Sequence, residues 1–184
     1  MKSIKTIMLF MLTAALFSCG SSTGPKPATI DDAWTEFESG DYATSLESFQ
    51  KLGTNEAKVG VGWSAVFLDS LGFAKQTFVE IAADNNIDAN AGWALTLWAT
   101  NDFNNCINKA AAVLAKDANY KFQHYSQFQA SDLIWLQAAS YFQLVNYSKC
   151  LEKIKLLDSA FSADLNSPDI EKILLEKLDA LDSL

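Results

Sequence analysis

Residues 33–52 have the sequence AWTEFESGDYATSLESFQKL, and this stretch predicts a helical hairpin. Apolar residues recur at helical spacing on both sides of Gly40-Asp41, a pair typical of a tight turn. Ala33 is followed twelve positions later by Ser45, so small residues stand where the two helices would cross. Antiparallel helices approach closely only where such small side chains face each other.

The same pattern recurs three more times along the chain. Counting from a small residue, the positions 12, 13 and 16 further on are small, large apolar and apolar. The four starting positions, Ala33, Ala65, Ala94 and Ala138, are 32, 29 and 44 residues apart. The last interval predicts an insertion, and repeats of about 20–50 residues are typical of solenoids.

The repeated unit resembles the tetratricopeptide repeat. The first copy carries the resemblance most fully, and Phe103 and Tyr147 repeat the aromatic residue that opens its second helix. The matching residues of that copy are Ala33-Trp34, Gly40-Asp41-Tyr42, Ser45-Leu46 and Phe49. No copy has the proline that usually closes a repeat of this family. The resemblance covers residues 30–158 and implies an all-α, right-handed solenoid of about four helical hairpins.

The resemblance also implies a binding role. In this family the first helix of each hairpin lines a concave face, and peptides bind there. The residues expected near that face are Trp34, Phe37, Trp98, Trp135 and Phe142. Aromatic side chains are typical anchors of binding surfaces, although core packing explains the same residues equally well.

Residues 1–18 predict a secretory signal, because Lys2 and Lys5 precede an apolar run that is too short to anchor a chain stably in a bilayer. The end of this segment resembles a bacterial lipobox, in which Leu16 and Ser18 precede Cys19. The resemblance implies a diacylglyceryl group on Cys19, and several acyl chains together anchor a protein firmly. The alternative is an ordinary secreted protein with an unpaired Cys19.

Residues 19–29 follow as a flexible tether, since they are rich in glycine, serine and proline and contain nothing able to join a core. Gly20 stands where an aspartate would suggest retention in the inner membrane. The outer membrane of a bacterial envelope is therefore the expected location, on either face.

Residues 159–184 predict a C-terminal capping helix. Ser167, Pro168 and Asp169 form a typical helix start, and the apolar residues that follow fall on one face. That face is formed by Ile170, Ile173, Leu174, Leu178 and Leu181. A solenoid needs such an element to cover its last repeat.

Residues 116–131 form the insertion. They contain four aromatic residues and the only histidine, His124. Such a loop is often functional when ordered, but packing of its aromatics against the side of the stack is the favoured interpretation. The aromatics are Tyr120, Phe122, Tyr125 and Phe128. A lone histidine without a nearby cysteine, aspartate or second histidine does not predict a metal site.

The amino-acid composition disfavours some classes of function. The net charge is −8 and the chain has no arginine, which argues against nucleic-acid binding. No spacing assembles a nucleophile, a base and an orienting group, so neither an enzyme nor a cofactor is expected. Cys106 and Cys150 are expected to be buried thiols, because neighbouring helices keep their Cα atoms too far apart for a disulfide.

The sequence thus favours a membrane-anchored, non-catalytic scaffold that binds a protein or peptide on its concave face. The alternative is an envelope lipoprotein that captures a glycan or small molecule. Trp98 and Tyr125 would then offer flat aromatic surfaces to a sugar.

Overall fold

The computed structural model describes residues 29–82 and 86–181. Over these residues the chain forms nine α-helices, and a bridge between Lys121 and Gln129 is the one β-type pairing among them. The helices are α1 (Ile30–Glu38), α2 (Tyr42–Leu52), α3 (Asn55–Phe67), α4 (Leu71–Ala82), α5 (Ile87–Ala99), α6 (Phe103–Lys116), α7 (Ala130–Gln143), α8 (Tyr147–Leu157) and α9 (Ile170–Leu181).

The helices pair as four consecutive hairpins, and each hairpin packs on the next. The odd-numbered helices also contact one another in the order α1, α3, α5, α7 and α9, whereas within the described ranges no two even-numbered helices are in contact. The odd-numbered helices therefore lie on the inner side of the curved stack. The surface that they form there is the concave face. This arrangement confirms the predicted all-α solenoid of helical hairpins.

The turns inside the four hairpins have the same geometry. Each first helix ends two residues before a residue with left-handed backbone, which donates its N–H to the carbonyl three residues earlier at 2.9–3.0 Å. The next N–H reaches back five residues at 2.8–3.0 Å, as in a Schellman motif. The left-handed residues are Gly40, Asp69, Asn101 and Val145. Because all four turns share this backbone geometry, they show which residues of the four repeats are equivalent, whatever the side chains are.

The turn geometry corrects the register expected for the second hairpin. Seven residues before each left-handed position stand Ala33, Gly62, Ala94 and Ala138, so the equivalent residue is Gly62 and not Ala65. The true intervals are 29, 32 and 44 residues. Ala65 is fully buried, less than one helical turn further along the same helix, and a pattern of small residues cannot separate two such positions.

Glycines in the first helices admit phenylalanine rings from neighbouring helices. A Cβ on Gly60 would lie 2.3 Å from the ring of Phe49, and one on Gly92 would lie 2.4 Å from the ring of Phe78. Glycine at these positions therefore allows the neighbouring helix to approach closely. Between the third and fourth hairpins the small residue is on the other helix. Ala110 stands at the position of the phenylalanines, Leu136 stands at the position of the glycines, and both are fully buried. Complementary volume, rather than one fixed residue, is what the stack requires.

Helix α9 occupies the place of a first helix in a fifth hairpin, since it packs on both α7 and α8. Its buried residues are Ile170, Leu174 and Leu178, as the amphipathic pattern predicts. Helix α7 begins at Ala130, and Asp132 in its first turn accepts the N–H of Gln129 at 2.6 Å.

The predicted signal segment, Cys19 and the predicted tether up to residue 28 lie outside the described residues. Thr29, the last residue assigned to the tether, caps α1, because its hydroxyl accepts the N–H of Asp32 at 3.2 Å. None of the helices in the described part of the chain has the length and apolar character that a membrane-spanning helix requires.

Candidate functional site

The insertion crosses the N-terminal part of the concave face. The ring of Phe122, which is fully buried, lies among three aromatic residues of α1 and α3. Its centroid is 6.0 Å from that of Trp34, 6.3 Å from that of Phe37 and 4.3 Å from that of Trp63. A segment from the connection between the third and fourth hairpins therefore fills the groove of the first two.

Two further aromatic residues fasten the base of the insertion. Tyr120 donates its hydroxyl to Asp88 at 2.9 Å, and Phe128 packs against Trp63 with centroids 5.2 Å apart. Burial raises the pKa of Asp88, and burial beside that carboxylate raises the pKa of Tyr120. Phe122 N–H also donates to the carbonyl of Phe128 at 3.0 Å, so the segment forms a small folded hairpin of its own. The aromatics of the insertion are thus packed against the stack, as expected, although they fill the groove of its concave face and not its side.

The rim of the insertion contacts the first two hairpins as well. His124 stacks on Trp34 and places Nδ1 2.7 Å from Glu38 Oε1, while Tyr125 packs edge-on against Phe67. The insertion therefore covers the groove over α1 and α3.

The insertion covers two of the predicted site residues. Phe37 is only 1% exposed and Trp34 is 9% exposed, because the insertion lies over both. Neither side chain has enough exposed surface to contact a partner, so this part of the concave face belongs to the interior of the protein.

The other three predicted residues surround an open cavity at the C-terminal part of the concave face. Trp98 on α5 and Phe142 on α7 are half-buried, and Trp135 on α7 is 7% exposed. The indoles of Trp98 and Trp135 meet edge-to-face with centroids 5.2 Å apart. Leu175 and Leu178 of α9 complete the apolar wall of a cavity of about 180 Å³. We call this space the C-terminal cavity.

Helix α9 contributes three of the five lining residues that the sequence did not assign to this site. Trp135 donates its indole N–H to the carbonyl of Leu178 at 3.0 Å, which fixes the wall of the cavity. Leu175 is 44% exposed and lies off the buried face of α9. The only sequence signal for a role of Leu175 in the site was its position outside the amphipathic stripe of α9. That signal is weak, because exposed leucines are common on protein surfaces.

The polar lining of the C-terminal cavity is sparse and carries no positive charge. Gln143 and Asp179 are the polar side chains, and both are exposed. Among the lining residues there is no lysine. The cavity is suited to an apolar group of a ligand that also has a polar or cationic group next to it.

The described residues show no set of side chains arranged for catalysis. Burial raises the pKa of Cys106 to about 11 and that of Cys150 to about 12, so neither is a ready nucleophile. Both thiols are buried and unpaired, as expected. Over the same residues, no group of three or more histidine, cysteine or carboxylate side chains could hold a metal ion.

Comparisons with known proteins agree with the fold. No family model matches the chain, and no curated protein matches it. The solved structure "MamA MSR-1 C2" superposes with a TM-score of 0.61 at 11% identity, covering 83% of this chain and 84% of that one. A tetratricopeptide repeat protein from Parabacteroides merdae superposes with a TM-score of 0.55 at 13% identity, covering 83% of this chain and 58% of that longer one. Identities this low show fold alone, and that fold is a tetratricopeptide-like solenoid of helical hairpins.

Proposed function

We propose that this protein is a lipid-anchored, non-catalytic scaffold that binds a protein segment at the C-terminal part of its concave face. The observation that carries the proposal is the division of that face. The insertion fills the groove over α1 and α3, whereas the C-terminal cavity over α5, α7 and α9 stays open. Aromatic side chains in a partly desolvated pocket are the typical anchors of a binding interface.

The fold supports a scaffold in preference to an enzyme. A stack of hairpins presents one extended surface, and such surfaces are what solenoid proteins use to bind partners. The proposed partner is a protein or peptide, and nucleic acid is disfavoured because the chain has a net charge of −8 and no arginine.

The anchor belongs to the same proposal. The lipobox-like residues ending at Cys19 support attachment of the protein to the outer membrane of a bacterial envelope, with residues 19–29 as the spacer. The wild-type chain should then remain in washed membranes, and its N-terminal peptide should carry the mass of a diacylglyceryl group. Cys19→Ser should move the chain to the soluble fraction. Release of the wild-type chain by a salt wash would contradict the anchor.

Site-specific photocrosslinking in cells tests the binding face. A photoreactive amino acid at Gln143, beside the cavity, should give a discrete crosslinked protein product. The matched control is Ala111, an exposed residue of α6 on the convex side. Equal crosslinking at both positions, or none at Gln143, would overturn the proposed face. A saturable glycan or small-molecule titration without any crosslink would support the alternative function.

A further inference from the structure

We propose that the C-terminal cavity receives one large apolar side chain from an extended, cationic partner segment. This inference rests on the proposed function and names the chemistry of the partner. Three observations support it: the size of the cavity, the charge around it, and the way in which the concave face already holds a segment of its own chain.

The cavity has the size and lining for one aromatic or branched aliphatic side chain. Its volume is about 180 Å³, and its apolar wall includes Trp98, Phe142 and Leu175. An apolar cavity of about 150 Å³ is large enough to hold a benzene ring. Ala139 forms part of the lining, and its small side chain leaves the space open.

The charge near the cavity favours a cation. Asp179 is the one charged residue that lines it. The cavity also borders the edge of the stack that holds the hairpin turns, because Gln143 is the last residue of α7. The turns at 38–42, 67–71, 99–103 and 143–147 contain four carboxylates and no lysine. Two of them have basic neighbours, since Glu38 contacts His124 and Asp102 contacts Lys75. A partner segment that lies along this edge gains from lysine or arginine beside its apolar anchor, and complementary charge improves both encounter and selectivity.

The concave face already holds one segment of the chain itself through an aromatic anchor. Phe122 enters an aromatic pocket on α1 and α3, and Tyr120 adds a polar contact to Asp88 beside it. The C-terminal cavity offers the same combination two hairpins further along, with an aromatic wall and Asp179 next to it. The expected partner therefore resembles the insertion both in its apolar anchor and in the cation beside it, since Lys121 precedes Phe122.

Val145 gives independent support for a contact at this end. It is 68% exposed and has left-handed backbone with φ of 57°, which is unfavourable for a β-branched residue. The equivalent positions hold glycine, aspartate and asparagine, which accept this conformation. The backbone N–H of Val145 closes the turn on the carbonyl of Phe142 at 2.9 Å, while its exposed side chain adds an apolar group just beyond the end of α7.

Selection from a phage-displayed library of random twelve-residue peptides tests the proposal. The full chain, with Cys19→Ser to prevent lipid attachment, is immobilised through its N-terminal end. Enriched peptides should contain phenylalanine, tryptophan or leucine with a lysine or arginine within three residues. Enrichment of acidic peptides, or of peptides without a large apolar residue, would overturn the proposal.

Two variants locate the binding of an enriched peptide. Ala139→Leu fills the cavity and should weaken binding about tenfold, the size of a moderate anchor contact. Its unfolding temperature should be unchanged or raised, which separates lost binding from lost folding. Asp179→Lys should weaken binding about fivefold and shift a repeated selection toward acidic peptides. Glu47→Lys makes the same charge change on the convex helix α2 and should leave binding unaltered.

The outcomes separate this inference from the proposed function. If Gln143 still crosslinks a protein in cells but Asp179→Lys changes neither affinity nor selection, the cationic partner is wrong and the binding face stands. If Ala139→Leu leaves both crosslinking and peptide affinity unchanged, the cavity is not the binding site and both proposals fail.

Discussion

The imidazole of His124 stacks on the indole of Trp34, with ring centroids 3.7 Å apart and planes 3° apart. These residues come from the insertion and from α1, the first helix of the stack. In an ordinary solenoid each hairpin contacts only its neighbours, and stability is close to a sum of local terms. Here the insertion ties the first hairpin to the connection before the fourth. We therefore expect the described stack to unfold as one cooperative unit.

Removing the central aromatic of the insertion should destabilise the whole stack. Phe122→Ala should lower the free energy of unfolding by about 3–5 kcal/mol, because a fully buried ring is replaced by a cavity. Urea denaturation followed by tryptophan fluorescence and by circular dichroism measures the loss. Gln123→Ala, an exposed neighbour, is the control and should change little. Equal stability of the two variants would show that the insertion does not support the groove.

The histidine–tryptophan contact should make a smaller contribution. His124→Ala removes the stacked ring and the contact with Glu38 Oε1, and we expect a loss of about 1 kcal/mol. Amide exchange in α1 should accelerate, since the contact holds this helix to the insertion. Ser126→Ala is the matched control on the same segment and is exposed. Unchanged exchange in α1 for both variants would argue against a coupling role.

The glycine at the junction of the second and third hairpins should resist even a small side chain. Gly92→Ala places a Cβ 2.4 Å from the ring of Phe78 and should cost about 1–3 kcal/mol of stability. Phe78→Leu in the same chain should recover part of that cost.

Gly72→Ala is the control for this prediction, because nothing lies within 4 Å of its added Cβ. This exposed helical position should become more stable by up to about 1 kcal/mol. A destabilised Gly72→Ala together with a neutral Gly92→Ala would contradict the packing described.

The left-handed turn of the fourth hairpin should be improved by a residue that accepts its backbone. Val145→Asn should raise the free energy of unfolding by about 1 kcal/mol, since left-handed backbone costs a β-branched residue about that much. The reverse change in the third hairpin, Asn101→Val, should lower stability by a similar amount. Thermal unfolding of the two variants checks the prediction, and opposite signs are required.

The buried thiols should make stability fall at alkaline pH. The usual thiol pKa of 9.0 applies to the unfolded chain, whereas burial raises the pKa of Cys106 to about 11 and of Cys150 to about 12. Their protonated state thus favours the folded chain fully below pH 9. This contribution is lost as pH rises from 9 toward 11, at up to about 1.4 kcal/mol per pH unit for each thiol. Urea midpoints at pH 7.5 and 10 measure it, and the double alanine variant should show a shallower slope.

Much of the architecture follows from local sequence. Small residues twelve positions apart predicted the hairpins because a helix crossing admits little else, as Ala33 and Ser45 illustrate. The register of the second hairpin did not follow, since Gly62 and Ala65 lie on nearby parts of one buried helix surface. The hydrogen bonds of the turn at Asp69 resolve that choice, and backbone geometry is not visible in a pattern of residue sizes.

The division of the candidate site could not be predicted from the same residues. Trp34 and Trp98 look alike in sequence, since both are aromatic residues on first helices. The insertion covers one of them and leaves the other beside an open cavity. Its position depends on contacts such as that between Phe122 and Trp63, which are far apart along the chain.

By itself the sequence determined the helices, their pairing and the amphipathic final helix, because these depend on residues close together in the chain. The tertiary structure alone decided which part of the concave face is interior and which is available to a partner. That choice depends on where the aromatic side chains of a long insertion come to rest, and this is set by burial against distant helices.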